Sequence, residues 1–225
     1  MVIAIDGPAG AGKSTVTRRL ASKLGFEFLD TGAMYRAVTW AAIDRGVDLQ
    51  DSAALLELAN GLTIEFDGEV VIVDGTDVSS LIRDPAVTRN IVHVADHAEI
   101  RSSLVQLQRE IASTGNYVCE GRDQGTVAFP DAFLKIFLTA SPQFRALRRA
   151  DQMEAAGRYV DFDQIIADQK IRDQQDLHRP VGKLMRASDA VEVNTDNKSI
   201  DEVVLELEQL AKSRIPSAIS GLDEQ

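Results

Sequence analysis

Short apolar runs and longer helical segments alternate along the chain. The short runs are rich in β-branched residues, as is typical of strands buried in a parallel sheet, and lie at residues 2–6, 26–30, 117–121, 133–140 and 190–196. Segments with the spacing or composition of helices lie at residues 16–25, 31–46, 51–61, 98–115, 141–157 and 169–179, with a last one ending near residue 212. Thr31 is the expected N-cap of the second helix. The alternation predicts an α/β fold, a parallel sheet with helices on both faces.

One part of the chain departs from this alternation. Residues 62–66 and 69–75 alternate apolar and polar positions with a period of two and flank Asp67 and Gly68. Such a pattern around an Asp-Gly turn predicts an antiparallel hairpin. A hairpin within an α/β alternation indicates a small inserted module, which we place at about residues 62–95.

Composition narrows the class of protein. The chain has 225 residues, of which 44% are hydrophobic and 26% charged, and its net charge is −11. The negative charge argues against non-specific binding to nucleic acid or to an anionic membrane, because either polyanion would be repelled. A single cysteine, Cys119, favours a reducing, cytoplasmic setting. The first apolar run has only five residues, too few for a signal or membrane segment.

A glycine-rich segment between the first strand and the first helix carries the clearest chemical signal. Strand, glycine-rich turn and helix in this order form the context of a phosphate-binding loop, whose expected nucleotide-binding residues are Gly7, Pro8, Ala9, Gly10, Ala11, Gly12, Lys13, Ser14 and Thr15. Lys13 would reach the β- and γ-phosphates, and the hydroxyl of Ser14 would bind Mg²⁺. The loop therefore predicts ATP or another nucleoside triphosphate with Mg²⁺, but not the acceptor. The alternative is a chance glycine-rich turn.

Charged residues follow the predicted strands at the edge where ligands of such sheets bind. Glu120 ends a strand next to the phosphate loop, where it could hold Mg²⁺ directly or through water, or could cap the next turn; both interpretations stay open. Several arginines lie in the same region. An acidic protein that binds two phosphorylated substrates needs such a local concentration of positive charge. They are Arg36, Arg122, Arg172 and Arg179, with Arg145, Arg148 and Arg149 together on one helix. The alternative is that these arginines form ordinary surface ion pairs.

Several motifs together resemble one family. The segments DGPAGAGKST, LDTGAMYR, EGRDQGTVAFPDA, KIFLTAS with RALRR, and RDQQD occur in the order found in bacterial cytidylate kinases, which phosphorylate CMP and dCMP. The resemblance covers about residues 2–210, and DTGAMYR with GRDQGT is its most specific part. Two residues depart from the family pattern: His93 stands where a serine often contacts the base, and Lys183 stands where a proline is expected.

The resemblance implies roles for individual residues. It implies that Arg36, Arg122 and Arg179 clamp the acceptor phosphate. It implies contacts to the ribose for Arg172 and Asp176. Contacts to the base are implied for Arg101 and Asp123. Thr31 is implied as a further substrate contact. Lys13, Arg148 and Arg149 are implied as catalytic residues, the two arginines at the start of a lid over the ATP phosphates.

The resemblance also implies a division of the chain. The fold is that of phosphate-loop NTPases, with a core at residues 1–35, 98–140 and 186–212. A monophosphate-binding region containing the hairpin spans residues 36–97, a helical lid region spans 141–185, and 213–225 form a loose tail. The expected partners are the small molecules CMP and dCMP, without nucleic acid or membrane, and the chain is expected to be a cytoplasmic monomer.

Two other classes of protein share part of the pattern. A different phosphate-loop kinase, acting on shikimate, adenylate or a nucleoside, would explain the loop and the lid but not GRDQGT or the hairpin. A GTPase-type switch would need an acid two residues after Lys198, where Ile200 stands. Comparing several phosphate acceptors separates these alternatives.

Overall fold

The computed structural model describes residues 1–214 and contains a central sheet of five parallel strands. In their order across the sheet the strands are β2 (Glu27–Asp30), β6 (Tyr117–Gly121), β1 (Val2–Asp6), β7 (Leu134–Thr139) and β8 (Val191–Asn194). All five begin and end within a few residues of the predicted strands. The predicted parallel sheet is confirmed.

Helices cover both faces of this sheet. Helices α1 (Lys13–Leu24) and α8 (Ile200–Arg214) pack on the face that carries Val118, while α5 (Ala98–Ala112) packs on the face of the adjacent Cys119. Successive side chains of a strand point to opposite faces, so the sheet is buried on both sides. This explains the continuous apolar character of the strands.

A second hydrophobic core lies between the remaining elements of the first half. Helices α2 (Thr31–Asp44) and α3 (Ser52–Gly61) enclose residues of the inserted module and of α5. The buried side chains at its centre belong to different elements and are listed here in chain order: Met34, Val38, Leu55, Val71, Val73, Ile82, Val94, Ile100 and Leu104. The inserted module therefore shares one apolar centre with α2, α3 and α5 beside the sheet.

The inserted module contains more than the predicted hairpin. Strands β3 (Ile64–Asp67) and β4 (Val70–Val73) pair antiparallel as predicted, with Gly68 at φ 57° in the turn. A third strand, β5 (Thr76–Asp77), and a helix, α4 (Pro85–Ala95), were not predicted. A two-residue strand leaves no periodic pattern, so its pairing with β4 decides its conformation.

Two further details differ from the prediction. The N-cap of α2 is Asp30, whose carboxylate accepts a hydrogen bond from the N–H of Ala33 at 2.9 Å, so the prediction of Thr31 was wrong. Helix α8 continues to Arg214, two residues beyond the predicted helix end, so residues 213 and 214 are helical and not part of a tail. The rest of the predicted tail lies outside the described residues.

Two helices, α6 (Pro142–Ala155) and α7 (Phe162–His178), pack on each other through Ala146, Ala150 and Ile165 in the predicted lid region. Among the helices within residues 1–214, none combines the length and apolar character needed to cross a membrane.

Packing of α8 against the sheet predicts an unequal effect of two leucines. Leu207 is fully buried, whereas Leu205 on the same helix is 50% exposed. We expect Leu207→Ala to lower the free energy of unfolding by about 3 kcal/mol through loss of burial and a residual cavity. Leu205→Ala, the matched control, should change it by no more than about 0.5 kcal/mol. Urea unfolding measures both, and equal effects would contradict the docking of this helix.

Candidate active site

The phosphate loop lies between β1 and α1, against the neighbouring strand β7. A Cβ atom at Gly7 would stand 2.1 Å from the carbonyl oxygen of Leu138, so only glycine permits this approach. Gly12, at φ 89°, caps α1 without a side-chain hydrogen bond, and the first turn of α1 contains no acid. The first N–H groups of the helix are thus left for an anion, at the positive end of the helix. The loop fits a row of phosphate groups.

Lys13 lies across this loop. Its Nζ donates hydrogen bonds to the carbonyl oxygens of Gly7 at 2.7 Å and Pro8 at 2.8 Å. Burial lowers the pKa of Lys13 to about 7, and the nearby charge of Arg122 is the next largest cause. The ammonium group is therefore held inside the loop that it would neutralise when phosphates bind.

Ser14 and Glu120 are neighbours beside the loop. Burial raises the pKa of Glu120 and the carboxylate of Asp30 raises it further, whereas Lys13 and the Ser14 hydroxyl act to lower it. Within residues 1–214, no group of three or more His, Cys, Asp or Glu side chains could hold a metal ion. Mg²⁺ usually keeps several waters and binds through one or two protein groups plus phosphate oxygens, so a hydroxyl with one carboxylate fits that ion.

Asp176 orients two of the predicted clamp arginines. Its carboxylate accepts hydrogen bonds from Nε of Arg122 at 2.7 Å and from Nη2 of Arg179 at 3.0 Å. Burial acts to raise the pKa of Asp176, but Arg122 and Arg179 hold it below its usual value. Nε of Arg179 also lies 2.8 Å from Oδ1 of Asp96. Since each guanidinium has five N–H donors, both arginines retain donors for a further anion.

Arg36 reaches the same region from α2. Its Nη2 donates to Oδ2 of Asp30 at 2.9 Å, while its Nε is buried without a protein partner. Arg83, on a short turn of the inserted module, lies 3.8 Å from the same carboxylate oxygen. A buried donor without a partner is costly, and a phosphate oxygen would satisfy it. Arg83 could not be predicted as part of this cluster, because a single arginine in LIRDP carries no pattern.

Arg172 adds a further cation from α7. Its side chain is exposed. Desolvation lowers the pKa of Arg172 to about 10, and the charges of Arg122, Arg36 and Arg149 lower it further. The arginines are thus close enough to repel one another, and an anion between them would relieve that repulsion.

Arg101 and Asp123 form a buried ion pair. Their relative exposures are 6% and 4%. Arg101 also donates to the carbonyl oxygen of Ala95 at 3.1 Å, and its guanidinium carbon lies 5.1 Å from the centre of the Tyr35 ring. The pair presents one acceptor and one cationic donor side by side, which is the arrangement that the resemblance implied for reading a base.

Asp6 connects the phosphate loop to the turn that carries Arg122 and Asp123. Its carboxylate accepts hydrogen bonds from the backbone N–H groups of Gln124 and Gly125, both at 2.8 Å. Asp6 is only 3% exposed. From the sequence alone Asp6 is only the end of a strand, because nothing in DGPAG indicates a partner more than a hundred residues away.

Of the three arginines on α6, two are held by hydrogen bonds. Arg145 donates to the carboxylate of Asp173 at 2.6 and 2.9 Å and to the carbonyl oxygen of Ala9 at 3.0 Å. Arg148 donates to the carbonyl oxygen of Thr195 at 2.6 Å and bonds weakly to the phosphate loop. Arg149 is exposed. The two helices are therefore tied to the phosphate loop mainly through Arg145.

Two other residues singled out in the sequence differ in their surroundings. The hydroxyl of Thr31 donates to the carbonyl oxygen of Glu120 at 2.6 Å, so it joins the start of α2 to β6. His93 is half-buried on α4. A separate cleft of about 560 Å³ lies near Val2 and Phe129 at the start of β1, away from the charged cluster. Cleft size alone therefore does not locate the site.

Comparison with known proteins identifies a family. A profile of the family described as "Cytidylate kinase" matches residues 3–213. A cytidylate kinase of Rhodopirellula baltica is 49% identical over 221 residues, covering 98% of this chain and 96% of that protein. A bifunctional pantoate ligase/cytidylate kinase of Synechococcus sp. (strain CC9311) is 47% identical over 220 residues, covering 95% of this chain but 44% of that protein.

Structural comparison supports the fold alone. The crystal structure of TT1252 from Thermus thermophilus aligns with a TM-score of 0.52 and 16% sequence identity, covering 96% of this chain and 98% of that chain.

The buried carboxyl of Asp6 predicts a pH dependence of stability. Burial raises its pKa from 3.8 to about 6, so the folded protein binds this proton more tightly than the unfolded chain. Its contribution to stability is full below pH 3.8 and is lost as the pH rises through about 6. Across this pH range the effect lowers the free energy of unfolding by on the order of 3 kcal/mol. Asp6→Asn, which mimics the neutral acid, should remove this pH dependence. Urea unfolding between about pH 4 and 7 tests this, and identical pH profiles for both proteins would refute it.

Proposed function

The chain belongs to the cytidylate kinase family, and on that premise we propose that it is an ATP-dependent kinase that converts CMP and dCMP to the diphosphates. One observation carries this proposal: a phosphate loop, an arginine cluster and the buried Arg101–Asp123 pair lie at the same edge of the sheet. A donor triphosphate, an acceptor phosphate and a cytosine ring would need these three features side by side.

The phosphate loop would bind ATP. Its backbone N–H groups and Lys13 would contact the phosphates, with Lys13 exchanging its bonds to the carbonyl oxygens of Gly7 and Pro8 for bonds to phosphate oxygens. A Mg²⁺ ion held by Ser14, with Glu120 directly or through water, would neutralise charge on the triphosphate. The exposed Arg149 and the neighbouring Arg148 would cover the phosphates from α6.

The arginine cluster would bind the acceptor phosphate. Planar guanidinium groups suit this role because each can bind two phosphate oxygens at once. Carboxylates already orient the three clamp arginines, Asp30 for Arg36 and Asp176 for Arg122 and Arg179. The second pKa of a phosphate monoester is about 6, so the attacking oxygen is ionised at neutral pH and needs no general base. Catalysis would then depend on in-line positioning and charge neutralisation.

The Arg101–Asp123 pair would read the base. Cytosine has an amino donor at N4 and acceptors at N3 and O2, so the Asp123 carboxylate would accept from N4 while Arg101 donates to N3 or O2. Uracil has an acceptor at O4, which would face the carboxylate. Each buried polar group left unpaired costs on the order of 1–3 kcal/mol. Arg172 and Asp176 would contact the ribose, and Thr31 would support the phosphate side.

The partners that we propose are the small molecules CMP, dCMP and ATP. The net charge of −11 argues against a polyanionic partner. The single cysteine is fully buried, in line with a cytoplasmic enzyme. We propose that the chain acts as a monomer, since the groups needed for both substrates lie within it.

Acceptor specificity is the direct test of this function. With ATP as donor, CMP and dCMP should give the highest kcat/KM among CMP, dCMP, UMP, AMP and shikimate. The ratio of CMP to UMP should be about tenfold or more, because one mismatched buried pair costs that much. A coupled assay of ADP formation measures each acceptor. CMP activity no better than that with AMP would overturn the proposal.

Asp123 should determine base preference. Asp123→Ala should lower kcat/KM for CMP by about 10- to 100-fold, because N4 and Arg101 lose their acceptor, and should bring CMP and UMP closer together. The KM for ATP should stay within about twofold, since the phosphate loop is untouched. Asp201→Ala is the matched control, because Asp201 forms an exposed ion pair with Arg19. An unchanged CMP-to-UMP ratio would remove Asp123 from this role.

A further inference from the structure

The turn after α7 lies directly on the guanidinium of Arg101. Gly182 has φ 61°, and a Cβ atom there would stand 1.8 Å from Nη2 of Arg101 and 2.1 Å from its Cζ. Real Cβ atoms do not approach so closely, so the contact exists only because residue 182 is glycine. The backbone of Gly182 thus closes one side of the base-reading pair.

Other groups hold Arg101 from the remaining directions. The ring of Tyr35 lies 5.1 Å from the guanidinium carbon, the carbonyl oxygen of Ala95 accepts from Nη1 at 3.1 Å, and Asp123 pairs with Nη2. Arginine has a long stem with several rotatable bonds. With Gly182 in place, the guanidinium is confined to one orientation, and its side chain is 7% exposed.

The position of the turn has a local cause. The N–H of Leu184 donates to the carbonyl oxygen of Asp176 at 2.7 Å, and the Leu184 side chain is buried, so the chain folds back onto α7. The left-handed conformation of Gly182 makes this reversal. Lys183, in place of the proline expected from the family pattern, is consistent with it, because a proline drives the preceding residue toward an extended conformation.

We propose that Gly182 is a positioning residue for base recognition: by lacking a side chain, it lets the turn confine Arg101 in the orientation that pairs with Asp123. This inference rests on the proposed function, since it concerns the base that Arg101 would read. Gly182 itself need not touch the substrate. A methyl group at position 182 meets the far end of a side chain, so the guanidinium yields before the backbone does.

Two alanine variants test this role. Gly182→Ala should raise the KM for CMP by about 10- to 100-fold, as expected for loss of a hydrogen bond from a charged group, and lower the CMP-to-UMP ratio. The KM for ATP should stay within about twofold. Gly46→Ala is the matched control: Gly46 has φ 66°, is exposed and has nothing within 4 Å of the added Cβ atom. It carries the same backbone strain without the contact, so both nucleotide constants should stay near wild type.

A double-mutant cycle tests whether Gly182→Ala changes the base preference through Arg101. In an Arg101→Ala background no guanidinium is left to displace, so adding Gly182→Ala should leave the CMP-to-UMP ratio unchanged. Three results would overturn the role of Gly182: CMP kinetics equal to those of Gly46→Ala, an equal rise in the KM for ATP, or a further fall in the ratio without Arg101. A wild-type protein that does not prefer CMP would instead overturn the proposed function itself.

Discussion

The buried carboxylate of Asp6 fixes the distance between the two halves of the candidate site. It ends β1 immediately before the phosphate loop and accepts both N–H groups of the turn that carries Arg122 and Asp123. Strands β1 and β6 are neighbours in the sheet, with Asp6 in register with Gly121. Transfer between two bound phosphates depends on their relative position far more than on acid or base catalysis. The Asp6 carboxylate and the pairing of β1 with β6 thus hold the two halves of the site in a defined relative position.

Paired charges let an acidic protein gather arginines at one place. Arg36, Arg122 and Arg101 each have a carboxylate partner, which offsets part of the positive charge of the cluster. The partners also fix the direction of each guanidinium before any ligand binds, which lowers the entropy cost of binding. The two interpretations of the arginines, surface ion pairs or phosphate ligands, are therefore compatible. The carboxylates orient the groups whose remaining donors would hold the phosphate.

The sequence predicted what depends on local spacing and missed what depends on distant contacts. The strands and the phosphate loop were found because apolar runs and the glycine pattern are local signals. Helix α4 was not predicted, although Asp84 caps it and Pro85 is its first residue. The Asp-Gly hairpin gave the stronger local signal in this module, and the capping signal beside it was overlooked. Asp6, Arg83 and Gly182 have no pattern around them. Their roles become visible only in the folded chain. There Asp6 binds the backbone of residues 124 and 125, Arg83 lies near Asp30, and Gly182 contacts Arg101.

Helix α5 gives the Arg101–Asp123 pair a mechanical meaning. Its Ile100 and Leu104 pack with the inserted module, its Val105 and Ala112 pack on the sheet, and Asp123 follows a central strand of that sheet. Both partners of the pair therefore extend from elements that are packed on the sheet, whereas the ion pair of Arg18 with Glu69 joins α1 to the hairpin. A hinge rotation of the module away from the sheet would break the ion pair of Arg18 with Glu69 and leave the Arg101–Asp123 pair together. The groups that select the base would then stay assembled whether the site is open or closed.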